Sequence, residues 1–150
     1  MKTLVAYFSA QGTTAALARE LAEKTGADLF EIVPREPYSA ADITWTNPMA
    51  RCNREKIGRK DVPVAGTVAD WESYDRVYLG FPIWYYGAPN VVNTFCKGYD
   101  WQGKRVALFA TSGGSGIGRT VEKLQPYVAG GEIVKAEVIR DGKSLSDILL

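Results

Sequence analysis

The chain contains no histidine and only two cysteines in 150 residues. Without histidine the commonest general base and the commonest metal ligand are gone, and most Ser-His, Cys-His and zinc mechanisms go with them. Cys52 and Cys96 fit neither a zinc spacing nor a CxxC motif, so they read as free thiols. No stretch approaches the ~20 apolar residues that span a bilayer. Lys2 precedes only a short apolar run, Leu4 to Phe8, which is no signal-peptide pattern. These absences point to a cytoplasmic protein with no membrane segment and no bound metal. Lys plus Arg is 18 against 17 for Asp plus Glu, a net charge of +1, which leaves no basic footprint for nucleic acid. Charged residues make up 23% and hydrophobic residues 46%, the balance of a globular protein. The length fits one domain, residues 1–150, with a two- or three-layer core.

What is present alternates. Lys2–Phe8 reads as a buried strand, apolar nearly throughout, as strands of parallel sheets are. Thr13–Thr25 carries Leu17, Ala18, Leu21 and Ala22 at helical spacing and stops at Gly26. Strands are expected at Asp28–Val33, closed by Pro34, then at Arg76–Phe81, Arg105–Thr111 and Glu132–Ile139. Helical patterns lie at about Pro89–Lys97 and Ile117–Val128. Strands alternating with helices argue for an α/β fold whose parallel sheet is wound by right-handed crossovers. Residues 34–70 break the alternation and read as an irregular excursion between the second and third strands. Near the end, Ser144 to Asp147 resembles a capping box, and Leu145, Ile148 and Leu149 have helical spacing. A helix therefore starts there and runs out, so one flank of the sheet is expected to be thinly covered.

In open parallel sheets ligands bind at the carboxyl ends of the strands. Three unusual loops open on that edge. The first is Ser9-Ala10-Gln11-Gly12-Thr13-Thr14, between the first strand and the first helix. Unpaired amides of a first helical turn, with the helix dipole behind them, make an anion pocket. Ser9, Thr13 and Thr14 add hydroxyl donors, and no Lys or Arg occurs between Lys2 and Arg19. An ATP-type P-loop needs its lysine, and a tyrosine-phosphatase-like loop needs a nucleophilic Cys; both are missing. Such a loop holds a phosphate and leaves it intact. The alternative is an ordinary strand–turn–helix in which Ser9 or Thr13 only caps the helix.

The second loop is Pro82-Ile83-Trp84-Tyr85-Tyr86-Gly87-Ala88-Pro89. Three consecutive aromatics cannot all point into a core, and together they can clamp a flat ring system. Plugging the end of the core is the competing use. The third is Thr111-Ser112-Gly113-Gly114-Ser115-Gly116-Ile117-Gly118, whose four glycines let backbone amides approach a ligand closely. A flexible loop before the next helix is the alternative reading. Gly114-Ser115-Gly116 is a poor match to a dinucleotide fingerprint, which belongs after the first strand.

Phosphate loop, aromatic loop and glycine loop, in this order on this pattern, resemble flavodoxin and its relatives that bind flavin mononucleotide (FMN). The resemblance covers about the whole chain. It implies a flavodoxin-like three-layer α/β/α fold with a five-stranded parallel sheet, order 2-1-3-4-5, and FMN at the carboxyl edge. Ser9, Ala10, Gln11, Gly12, Thr13 and Thr14 would take the phosphate. Pro82, Ile83, Trp84 and Tyr85 would flank the isoalloxazine, with Trp84 stacked on it. Thr111, Ser112, Gly113, Gly114 and Gly116 would meet its pyrimidine edge. No residue is singled out as catalytic, because a bound flavin does its own chemistry.

The resemblance implies a redox role, either electron transfer to a partner protein or oxidoreductase action on a quinone or similar small acceptor. Electron-carrier flavodoxins are strongly acidic, and this near-neutral chain departs from them. A non-catalytic module binding a phosphorylated small molecule or partner is the alternative from another class. A phosphorylation-receiver domain is excluded, since Ser9 and Pro82 stand where that function needs aspartates.

Overall fold

The computed structural model describes residues 2–9, 12–35, 51, 62–83, 87–111, 120–139 and 145–150. Strands β1 (Lys2–Tyr7), β2 (Asp28–Glu31), β5 (Tyr74–Pro82), β6 (Arg105–Thr111) and β7 (Glu132–Val138) form one sheet. All its pairings are parallel, in the order β2-β1-β5-β6-β7. Counting the strands of this sheet alone gives 2-1-3-4-5, as the resemblance implied.

The central strands are apolar on both faces because each face is covered. Leu4, Ala6, Val77, Leu79, Phe81, Val106, Leu108 and Ala110 pack with Val91, Val92, Phe95 and Cys96 of helix α2 (Asn90–Lys97). Leu124 and Val128 join them, from helix α3 (Thr120–Leu124) and the 3-10 turn Gln125–Val128 that follows it. The alternate residues Val5, Tyr7, Tyr78, Ala107 and Phe109 face helix α1 (Thr13–Thr25). Period-two alternation thus sorts a continuous apolar run into two cores.

Helix α1 has the boundaries its pattern predicts. Gly12 (φ 92°) precedes it and Gly26 (φ 69°) ends it, both in the left-handed region that glycine enters most easily. Its buried stripe is Thr14, Ala15, Ala18 and Leu21, whereas Leu17 and Ala22 are half-buried. The small Ala15 and Ala18 therefore face the sheet, and the stripe is rolled toward Thr14.

Several expectations are corrected. The second strand ends at Glu31, not Val33. Ile32 N–H still donates to Tyr7 C=O at 2.6 Å, and then the chain leaves the sheet. Val33–Pro34 (β3) pairs antiparallel with Val64–Ala65 (β4), so the excursion opens and closes on its own short ladder. The proline lacks the N–H that a central strand would need. Residues 36–50 and 52–61 of that excursion lie outside the described residues. Of the helix expected at Ile117–Val128, residues 117–119 lie outside the described residues, Thr120–Leu124 is α-helical, and Gln125–Val128 is a 3-10 turn because Pro126 cannot donate to the α ladder. The flank expected to be thin is filled beside α1 by a 3-10 turn, Leu145–Ile148, which buries Leu145 and Ile148. Leu150 N–H donates to the Tyr78 hydroxyl at 2.7 Å and fastens this turn to β5. Ser144 of the expected capping box lies outside the described residues.

The amino-terminal edge of the sheet is built for stability. Trp71, Phe95, Tyr99 and Trp101 pack edge-on and tilted, with centroids 4.5–6.4 Å apart. Lys104 is buried there, donating to the carbonyls of Trp71 and Tyr74, with Nζ 4.8 Å from the Trp71 ring centroid. The buried Tyr74 hydroxyl donates to Asp28 Oδ2 at 2.7 Å. Burial first, then the bond to the Asp28 carboxylate, push the Tyr74 phenol up to about 12. The folded state holds this proton more tightly than the unfolded chain, whose tyrosine titrates near ~10. Stability from Tyr74 is therefore complete below about pH 10 and drains away as pH rises through the folded value. Urea titrations across that range should show a steeper alkaline loss for wild type than for Tyr74→Phe. Parallel curves would show that the phenol ionises freely in the fold.

Among the described residues no helix is long and apolar enough to cross a membrane.

Candidate functional site

Sheet order brings the carboxyl ends of β1, β5 and β6 side by side, with β5 in the middle. Tyr7 pairs with Gly80, Gly80 with Phe109, and Pro82 with Thr111. Phe8 N–H donates to Gly80 C=O, and Ile83 N–H to Thr111 C=O, each at 2.9 Å. Ser9, Pro82, Ile83 and Thr111 thus stand along one edge, held by ladder bonds that continue past the strands. Of the remaining expected site residues, Gly12, Thr13 and Thr14 are described. Ala10, Gln11, Trp84, Tyr85, Ser112, Gly113, Gly114 and Gly116 lie outside the described residues.

The turn into α1 is folded by its own groups. Ser9 Oγ accepts Gly12 N–H at 3.0 Å. A hydroxyl has one proton and two lone pairs, so this bond leaves the Ser9 proton free to donate. Gly12, which has no side chain, occupies the cap position, and Ser9 bonds the amide of that cap residue. The first helical bond runs from Ala16 N–H to Gly12 C=O at 3.1 Å. Amides of Thr13, Thr14 and Ala15 precede that ladder, and the helix dipole adds positive potential where they point. Thr13 is exposed at the turn. These donors suit an anion, and a phosphate fits them without a cation.

Thr14 has a partner that its sequence position does not announce: its Oγ1 lies 2.8 Å from Thr111 Oγ1 in a buried hydroxyl pair. Helix α1 reaches past β5 to make this contact with β6, since Thr111 shares the sheet face of Ala107 and Phe109 on which α1 packs. Sequence reasoning assigned the two threonines to opposite ends of a ligand. Their meeting carries no local signal, and only the strand order reveals it.

Other chemistry is sparse here. Cys96 is free and lies on the buried face of α2, and burial pushes its thiol far up, which makes it inert. Cys52 lies outside the described residues. Among the described residues no group of three or more His, Cys, Asp or Glu side chains is placed to hold a metal ion.

A family profile described as flavodoxin matches residues 2–148. The chain belongs to the flavodoxin family. A Bacteroides eggerthii protein, described as a candidate flavoprotein, is 37% identical over 97% of this chain and 94% of its own, with a TM-score of 0.89. A Bacteroides uniformis protein described in the same way is 36% identical over 97% and 96%, with a TM-score of 0.90. A Lactobacillus acidophilus flavoprotein solved in complex with FMN shares the fold at 22% identity, covering 98% and 97%, with a TM-score of 0.75. No curated protein matches the chain. Flavodoxin-family membership agrees with both the strand order and the turn into α1.

Proposed function

We propose that this protein is a redox flavoprotein that holds FMN at the carboxyl edge of its sheet. The observation that carries the reading is the turn from β1 into α1, a cluster of neutral hydroxyl and amide donors, in a flavodoxin-family chain. When bound, FMN supplies the ability to accept and pass on one or two electrons. The protein's part is to hold and tune it. Ser9, Ala10, Gln11, Gly12, Thr13 and Thr14 take the phosphate. Pro82, Ile83, Trp84 and Tyr85 would flank the ring, with Trp84 as the aromatic that would stack on it and exclude water. The segment from Thr111 to Gly116 offers backbone donors to the polar edge. The electrons go to a redox partner protein or to a diffusible acceptor such as a quinone, and the protein works in the cytoplasm.

Charge favours the small-acceptor branch. The loops 82–89 and 112–118 contain no Asp or Glu, and Arg119 follows the second. A like charge ~4 Å from the ring, at an effective dielectric of ~20, opposes added negative charge by about 4 kcal/mol before screening. Without such carboxylates the second electron should enter at a higher potential than in a strongly acidic carrier. Two measurements test the reading. Flavin released from the purified protein by denaturation should be FMN, and potentiometric titration should place the second step above that of an acidic carrier. Release of no flavin would remove the proposal. A second step as low as in those carriers would return the protein to electron transfer between proteins.

A further inference from the structure

We propose that Thr111 is a positioning residue for the phosphate end of the site, acting through the Thr14 hydroxyl. The inference rests on the FMN reading above and deepens it. The resemblance gave Thr111 to the ring end, where its backbone and the glycines after it would face the flavin. The structure gives its side chain another partner, the hydroxyl of Thr14 in the first turn of α1, 2.8 Å away and buried.

Proton arithmetic gives this contact a direction. Each hydroxyl has one proton, and one bond between them uses one proton, so the pair retains a single proton to donate elsewhere. If Thr14 donates to Thr111, nothing from Thr14 is left for an anion. If Thr111 donates to Thr14, the Thr14 oxygen accepts and its own proton is free for a phosphate oxygen. A charged acceptor makes the stronger bond, and a donor that is itself accepting is polarised to donate better. A phosphate on the α1 turn therefore selects the second arrangement.

Thr111 is well placed to act as the fixed member. It is the last residue of β6, Pro82 of β5 pairs with it, and its carbonyl accepts Ile83 N–H at 2.9 Å. A side chain on an interior strand loses less geometry than one on a loop. Thr14 is held from the other side by the packing of Ala15, Ala18 and Leu21. The distance between the two hydroxyls is thus set by the helix–sheet packing.

The test is a calorimetric comparison of FMN and riboflavin binding by the apoprotein, since the two flavins differ only in the phosphate. Thr111→Val keeps the shape of the side chain and suits a strand, and Thr111→Ala serves if the first variant does not fold. Either should weaken FMN binding about tenfold, the loss of roughly one hydrogen bond to a charged group. Riboflavin binding should change by less than about twofold, as no phosphate bond is involved. Thr111→Ser should restore FMN affinity. Adding Thr111→Val to Thr14→Val should cause no further loss, because the relay is already broken. Equal losses for both flavins, failure of the serine variant to rescue, or additive losses would each overturn the inference and leave the FMN reading intact. A wild-type protein that binds neither flavin would overturn that reading, and this inference with it.

Discussion

Thr14→Val is expected to weaken FMN binding by about ten- to hundredfold and riboflavin binding far less, since a hydrogen bond to a charged group contributes roughly 1.5–3 kcal/mol. Valine fills the buried space that Thr14 occupies against Thr111, so packing is kept and only the hydroxyl is removed. The turn has no lysine or arginine to compensate, because the first cation after Lys2 is Arg19. The remaining donors are Ser9, Thr13 and the amides of the first turn, and these keep a residual preference for the phosphorylated flavin. Isothermal titration with both ligands measures the effect directly. Equal losses for the two would show that Thr14 supports the fold of the site and does not donate to phosphate.

Gly80→Ala is expected to cause the largest loss of stability. Gly80 lies on the α1 face of β5, paired with Tyr7 on one side and Phe109 on the other. A methyl group there would sit inside the Phe109 ring, which lies across the glycine. Phe109 is fully buried, so the ring has no open space to enter. Overpacking of this kind costs about 1–3 kcal/mol and occasionally more. The urea midpoint should fall accordingly, and the double variant Gly80→Ala with Phe109→Leu should recover part of the loss. An unchanged midpoint for the single variant would mean that the ring can repack around a methyl.

The sheet was legible because its signal is local. Arg105–Thr111 was read with its observed limits, as was α1, where glycines mark both ends. The error at Val33–Pro34 has a physical origin. An apolar pair just after a strand looks like its continuation, yet its partner, Val64–Ala65, lies thirty residues on. Residues 125–128 misled in another way, because periodicity does not register that Pro126 converts the last turn to a 3-10 geometry. The strand ends from which the three loops leave were legible, since an apolar run closed by glycine or proline announces them. The wiring of the site was not. Ser9 accepting Gly12 N–H and Thr14 meeting Thr111 depend on how α1 lies over β5. Lys104 escaped notice altogether, because nothing near it in sequence tells that its ammonium is enclosed by Trp71 and Tyr74.

The contact between Thr14 and Thr111 spans 97 positions of the chain. During synthesis, β1 and the whole of α1 leave the ribosome long before β6 exists. A nascent chain ending at β5 can set Tyr7 beside Gly80 and fold the turn around Ser9. It cannot give Thr14 its partner. Non-local pairing is the slow part of assembling a parallel sheet. On the proposed reading, flavin capture would come at the end of biogenesis, after β6 has docked, because a newly made chain passes through a stage in which Thr14 still lacks Thr111.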